Sequence, residues 1–175
     1  MTETIKETTT TVRTAAEMRA LGRGLADHLR AGDVVVLTGP LGAGKTTLTQ
    51  GIGDGLGVKG PVTSPTFVIA RVHPPLGAGP ALVHVDAYRL GDAAEVDDLD
   101  LDADLDSAVI VVEWGQGLVE RLAEDRLEIR IGRPCGSPLD DESRTVRLTG
   151  TGARWASRLL APPSDVGGGP GAVRA

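Results

Sequence analysis

The sequence predicts an α/β fold of three layers, with helices on either side of a central, mostly parallel sheet that carries antiparallel strands at its edges. Three observations carry this prediction. A glycine-rich segment, Gly39-Pro40-Leu41-Gly42-Ala43-Gly44-Lys45-Thr46, stands between a β-branched apolar run and a run with helical spacing. Two further apolar runs, Ala81 to Asp86 and Ser107 to Glu113, each end in a carboxylate. The second is apolar throughout, as a strand covered on both faces should be. Finally, Leu127 to Ile131 and Thr145 to Thr149 alternate strictly between apolar and polar residues, which suits half-exposed strands.

Taken in order, the Thr-rich residues 1–12 read as a polar edge strand. Thr14 followed by Glu17 has the form of a capping box, and Met18, Leu21, Leu25 and Leu29 continue it at spacings of three and four. This predicts an amphipathic helix ending near Ala31-Gly32. Asp33 to Leu37 is a buried strand, and the glycine loop follows it. Leu48, Ile52 and Leu56 then mark a second helix, which Gly53, Gly55 and Gly57 bring to an end. Pro65 disfavours helix at Ser64, so Val62 to Ile69 enters a third strand. Residues 73–80 are a loop rich in Pro and Gly.

Residues 92–106 hold eight of the 24 acidic residues but no glycine. A calcium loop needs one, so the run reads as a solvated or partner-docking face. Leu118 to Leu122 predicts a short helix, Leu127 to Ile131 and Thr145 to Thr149 an antiparallel pair closing one side of the sheet, and 152–161 a last helix. Residues 1–161 are expected to form one domain and 162–175 a disordered Gly/Pro-rich tail.

Composition sets limits. The core must be built from Val, Leu, Ile and Ala, because Phe67, Tyr88, Trp114 and Trp155 are the whole aromatic set. A net charge of −6 with no basic run argues against tight, direct nucleic-acid binding. A single cysteine, Cys135, forms no internal disulfide and fits a reducing compartment. With no apolar run near 18 residues, the chain is expected to be cytoplasmic and without a membrane partner.

The glycine segment fits the phosphate-loop pattern at every fixed position. Gly39 and Gly44 are expected to take backbone angles closed to residues with a Cβ, so that main-chain N–H groups point at an anion. The following helix adds the positive end of its dipole. Lys45 supplies a full charge and the Thr46 hydroxyl suits Mg²⁺, which makes the fold P-loop NTPase-like. Phosphoryl chemistry also needs an acid at the metal, usually at the end of a neighbouring strand. Asp86 and Glu113 both qualify, and residue types alone do not rank them. His84 stands two residues before Asp86, on the same side of the strand, and reads as a core or rim histidine. Arg89 is either phosphate-facing or on the surface.

Four segments together resemble the bacterial TsaE family, small ATPases of the machinery that makes threonylcarbamoyladenosine beside the tRNA anticodon. They are Leu41 to Thr47, Ser64-Pro65-Thr66-Phe67, His84 to Leu90 and Val112-Glu113-Trp114, and the resemblance spans residues 13–150. It implies an ATP cradle at Gly42, Ala43, Gly44, Lys45, Thr46 and Thr47, with Mg²⁺ at Thr46 and Glu113. It implies a second functional carboxylate at Asp86, so that Lys45, Asp86 and Glu113 are the catalytic set. Ser64 to Thr66 would be a switch-like loop and Trp114 a neighbour of the site. Further nucleotide contacts would come from Thr14-Ala15 and Arg144. Pro40, Ala87 and Gly115 depart from the family's usual residues, and none of them is a catalytic group; Pro40 bears on how freely the loop moves.

The resemblance also implies partner dependence. ATP hydrolysis would reset a complex of a threonylcarbamoyl transferase subunit and its paralogous partner, and tRNA would be reached only through that complex. Two other readings compete. A nucleotide or small-molecule kinase would need an acceptor pocket and an arginine-bearing lid. A GTP switch would carry an Asn/Thr-Lys-x-Asp segment, and none of Lys6, Lys45 and Lys59 lies in one.

Overall fold

The computed structural model describes residues 5–65, 69–89, 95, 100–115, 117, 123–134, 136, 138, 141–156 and 158. Thr66, Cys135, the predicted helix at 118–122, residues 92–94 and 96–99 of the acidic run, the side chain of Arg89 and the tail lie outside the described residues. Among the described residues seven strands form one sheet: β1 (Ile5–Val12), β2 (Val34–Thr38), β3 (Ala70–His73), β4 (Ala81–Asp86), β5 (Ala108–Glu113), β6 (Arg126–Gly132) and β7 (Arg144–Thr151). Their spatial order is β1-β7-β6-β2-β5-β4-β3. The pairs β6–β2, β2–β5 and β5–β4 are parallel; β1–β7, β7–β6 and β4–β3 are antiparallel. This is the predicted fold class: a mostly parallel centre with antiparallel pairs outside it.

Two helices, α1 (Ala15–Ala26) and α2 (Lys45–Leu56), cover one face. Their apolar sides pack with Val35, Leu37, Leu82, Val109 and Val111 in one buried cluster. The opposite face buries Val34, Val36, Val83, Val85, Ile110 and Val112 with Leu101 of the short helix α3 (Leu101–Leu105). Alternation along each strand sends successive side chains to opposite faces, so the fully apolar runs of β2 and β5 supply both clusters. A last short helix, α4 (Ala153–Ala156), buries Trp155 completely. Among the described residues no helix is long and apolar enough to cross a membrane.

Several local expectations change. Helix α1 stops at Ala26 with Asp27 as its cap, five residues short of the predicted end; Leu29 is buried from the loop that follows. Thr14 caps α1 as expected, its hydroxyl accepting from the Glu17 N–H at 3.1 Å, but the Glu17 carboxylate reaches back to the N–H of Arg13. The third strand begins at Ala70, and residues 62–65 are not extended into the sheet. Strands β6 and β7 do form the expected antiparallel pair, but β1 lies outside them and β6 also runs parallel beside β2.

Only Gly57, at φ +68°, terminates α2. Gly53 and Gly55 lie within the helix, where absence of a side chain is a packing requirement. A Cβ on Gly51 would stand 2.1 Å from the Arg19 carbonyl oxygen, and one on Gly22 of α1 would stand 2.3 Å from that of Leu48. The two helices therefore pack backbone to backbone, which fixes the start of α2 against α1.

Candidate functional site

The glycine loop leaves the carboxyl end of β2 and enters the amino end of α2. Open α/β sheets place ligand sites at this end of their strands. Gly44 is the helix cap at φ +105°, and no side chain caps the first turn. The leading N–H groups of α2 thus remain available to an anion. Gly42 also has positive φ, at +76°. The expectation for Gly39 is corrected: its φ is not in the left-handed region, and it must be glycine because a Cβ would come 2.6 Å from the Ile131 carbonyl oxygen of β6. Pro40 fits the turn without loss, since its carbonyl accepts the Ala43 N–H at 3.0 Å.

Lys45 is buried, and its ammonium lies across the loop, donating to the carbonyls of Gly39 (2.7 Å) and Pro40 (3.1 Å). The indole of Trp114 covers it, with Nζ 4.5 Å from the ring centroid. Burial pushes the ammonium below the ordinary lysine range, against the opposing pull of the Glu113 and Asp86 carboxylates. Trp114 is one of two described non-glycine residues at positive φ, +61°, and its N–H donates to the Leu37 carbonyl at 2.8 Å. The end of β5 is thereby tied to the end of β2, and the indole turns over the loop. Tyr88 packs on that indole, ring centroids 5.6 Å apart.

The two acids are brought together by register. Leu37, Glu113 and Asp86 are partners across the ends of β2, β5 and β4. The Glu113 carboxylate, buried, has its Oε1 3.4 Å from the Thr46 hydroxyl, which donates to it, and 2.8 Å from His84 Nε2. Asp86 is more open and accepts the Tyr88 N–H at 3.0 Å. Ser64 follows two tethered residues: Gln50 Nε2 donates to the Val62 carbonyl (3.0 Å) and Arg71 to the Thr63 hydroxyl (2.6 Å). Lys45, Thr46, Ser64, Asp86, Glu113 and Trp114 all line one cleft of about 630 Å³.

A second, smaller cleft of about 170 Å³ lies on the other side of the loop. Ala15, Met18 and Arg144 line it with Gly42 to Gly44 and Thr47. Register again explains the meeting: Val12, the last residue of β1, pairs with Arg144, the first of β7, so Arg144 arrives beside the start of α1. Ala15 and Arg144 lie in segments with little motif, yet they share one pocket with the loop. The sequence reading of His84 as a core residue is right about burial; it missed the contact with Glu113, because strand spacing identifies the face but not the neighbour.

The donor set can be judged by its chemistry. Thr46 Oγ1 and the Glu113 and Asp86 carboxylates are hard oxygen donors, which suit Mg²⁺. No group of three or more His, Cys, Asp or Glu side chains forms a metal cage among the described residues. Magnesium ordinarily takes one or two carboxylates and completes its shell with phosphate and water, so the residues present fit it as a nucleotide's companion.

A glycine loop at the carboxyl end of a parallel sheet, an uncapped helix start and acids on the adjoining strands define an α/β protein of the P-loop NTPase-like class. Comparison with known proteins narrows this. The family model described as "Threonylcarbamoyl adenosine biosynthesis protein TsaE" matches residues 12–137. A Streptomyces coelicolor protein named tRNA threonylcarbamoyladenosine biosynthesis protein TsaE is 67% identical over 141 residues, covering 80% of this chain and 95% of the relative. One of the same name from Bacillus subtilis is 39% identical over 140 residues, covering 79% and 83%. The crystal structure of Bacillus subtilis YdiB superposes with a TM-score of 0.67 at 32% identity, covering 86% of this chain and 90% of that one. The chain belongs to the TsaE family.

Proposed function

We propose that this protein is the ATP-binding and ATP-hydrolysing subunit of the machinery that places threonylcarbamoyladenosine next to the tRNA anticodon. It would work in the cytoplasm on a complex of a threonylcarbamoyl transferase subunit and its paralogous partner. The carrying observation is the convergence of Lys45, Thr46, Asp86 and Glu113, from three separate elements, on one cleft at the carboxyl ends of the strands. Family membership and the names of its relatives support the tRNA-modification role.

In this reading the N–H groups of Gly42 to Thr47 bind the phosphates, and Lys45 exchanges its two neutral carbonyl partners for the outer phosphates. Ala15, Arg144 and the smaller cleft take the nucleoside end. Thr46 and Glu113 would hold Mg²⁺, which neutralises charge on the phosphates when bound. Asp86, beside Glu113 but more open, orients the attacking water. Ser64 and Thr66 belong to a segment that responds to the outer phosphate, and Trp114 shields Lys45 from solvent.

The test is ATP hydrolysis measured alone and with the two partners. Slow turnover alone, acceleration by the partners and loss on Lys45→Ala, on the order of 10²-fold or more, are expected. Full-speed turnover without a partner would exclude the regulatory role, and activity retained by the Lys45 variant would exclude the site.

A further inference from the structure

Resting on the metal-site reading above, we propose that His84 is a positioning residue: it fixes the Glu113 carboxylate in the orientation that faces Thr46. The ring is fully buried in β4, two register pairs behind the Asp86–Glu113 pair, and therefore turned to the same face. Its Nε2 stands 2.8 Å from Glu113 Oε1, the same oxygen that receives the Thr46 hydroxyl. An ionised carboxylate only accepts, so Nε2 carries the hydrogen and donates it.

The rest of the ring's environment is informative. Its Nδ1 is buried without a partner among the described residues. A histidine kept only for packing would be better replaced by leucine, because a half-satisfied buried polar ring costs free energy. What the imidazole provides that leucine does not is one directed donor at Glu113. That bond takes up one lone-pair direction of Oε1 and restrains side-chain rotation. Partners that orient an acid at a metal site in this way are worth about 10–100-fold in metal affinity.

The experiment is calorimetric titration of a non-hydrolysable ATP analogue into the full chain, with MgCl₂ or with EDTA. His84→Leu is expected to cut the Mg²⁺-dependent gain in affinity about 10-fold or more, with affinity in EDTA unchanged. His84→Gln, whose amide nitrogen reaches about as far as imidazole Nε2, restores most of the gain; His84→Asn, one carbon shorter, does not. The Gln/Asn comparison keeps the test decisive if the leucine variant folds poorly. Undiminished Mg²⁺ gain in His84→Leu, equal loss with and without Mg²⁺, or identical behaviour of the Gln and Asn variants would overturn the assignment. A wild-type chain whose affinity ignores Mg²⁺ would instead remove the metal-site reading, and this inference with it.

Discussion

Asp86 and Glu113 are register partners on adjacent parallel strands, so two carboxylates end side by side at the same edge of the sheet. Side by side they repel, and the buried Lys45 ammonium, on which both act, offsets this. Their surroundings differ: Glu113 is buried against Thr46 and His84, whereas Asp86 is half-exposed and held by the Tyr88 N–H. That difference separates their roles experimentally.

Glu113→Gln should weaken Mg²⁺-dependent nucleotide binding about 10–100-fold, and hydrolysis with it. Asp86→Asn should leave that binding nearly intact while hydrolysis falls on the order of 10²-fold. Titrating Mg²⁺ at fixed ATP analogue, beside turnover measurements, reads both. The reverse pattern would exchange the two assignments.

Glycines in the two covering helices should respond in opposite senses. Gly51→Ala forces a methyl group onto the Arg19 carbonyl and should cost about 1–3 kcal/mol or more. Gly24, in α1, has no atom within 4 Å of its absent Cβ. Gly24→Ala should therefore stabilise by roughly 0.5–1 kcal/mol. Thermal melts of the two variants give the sign directly.

At the far end of the sheet, Arg154 and Asp33 form a buried pair at 2.8 Å, and the guanidinium also donates to the His28 carbonyl at 2.8 Å. This joins α4 to the loop before β2. Arg154→Met leaves the Asp33 charge buried without its partner and should destabilise by about 3–5 kcal/mol. Adding Asp33→Asn should recover part of the loss, and denaturant midpoints of the two proteins test this.

Acid sensitivity should arise at His73, in β3. Burial, then the neighbouring His84 and Arg71, push its imidazole below the ordinary value of 6.5. Its contribution is intact above that value. As pH falls below it, the unfolded chain binds a proton that the folded one refuses, so stability declines until the lowered folded value is passed. The slope from this one group is at most about 1.4 kcal/mol per pH unit. His73→Gln should flatten stability measured from pH 7.5 down to 5; an unchanged slope would place the sensitivity elsewhere.

Much of this was legible in the sequence because it depends on neighbours along the chain. The loop from Gly39 to Thr46, the apolar continuity of β5 and the Thr14 cap are local patterns with local causes, and they specified the fold class and the cleft's principal residues. The helix glycines show where such reading stops: Gly53 and Gly55 looked like terminators, yet Gly55 is glycine because α1 lies against it. Nothing along the chain reveals that, nor that Gly39 is constrained by Ile131.

The sequence by itself determined the strand–loop–helix that can hold an anion and named the two acids that could serve it. Only the tertiary structure decided which acid meets Thr46, that His84 is bonded to it, and that Ala15 and Arg144 share a pocket. Those relations depend on strand order and register, which arise from pairing between residues as far apart in the chain as Ile5 and Thr151. Side-chain periodicity fixes the face a residue occupies, but pairing fixes its neighbours.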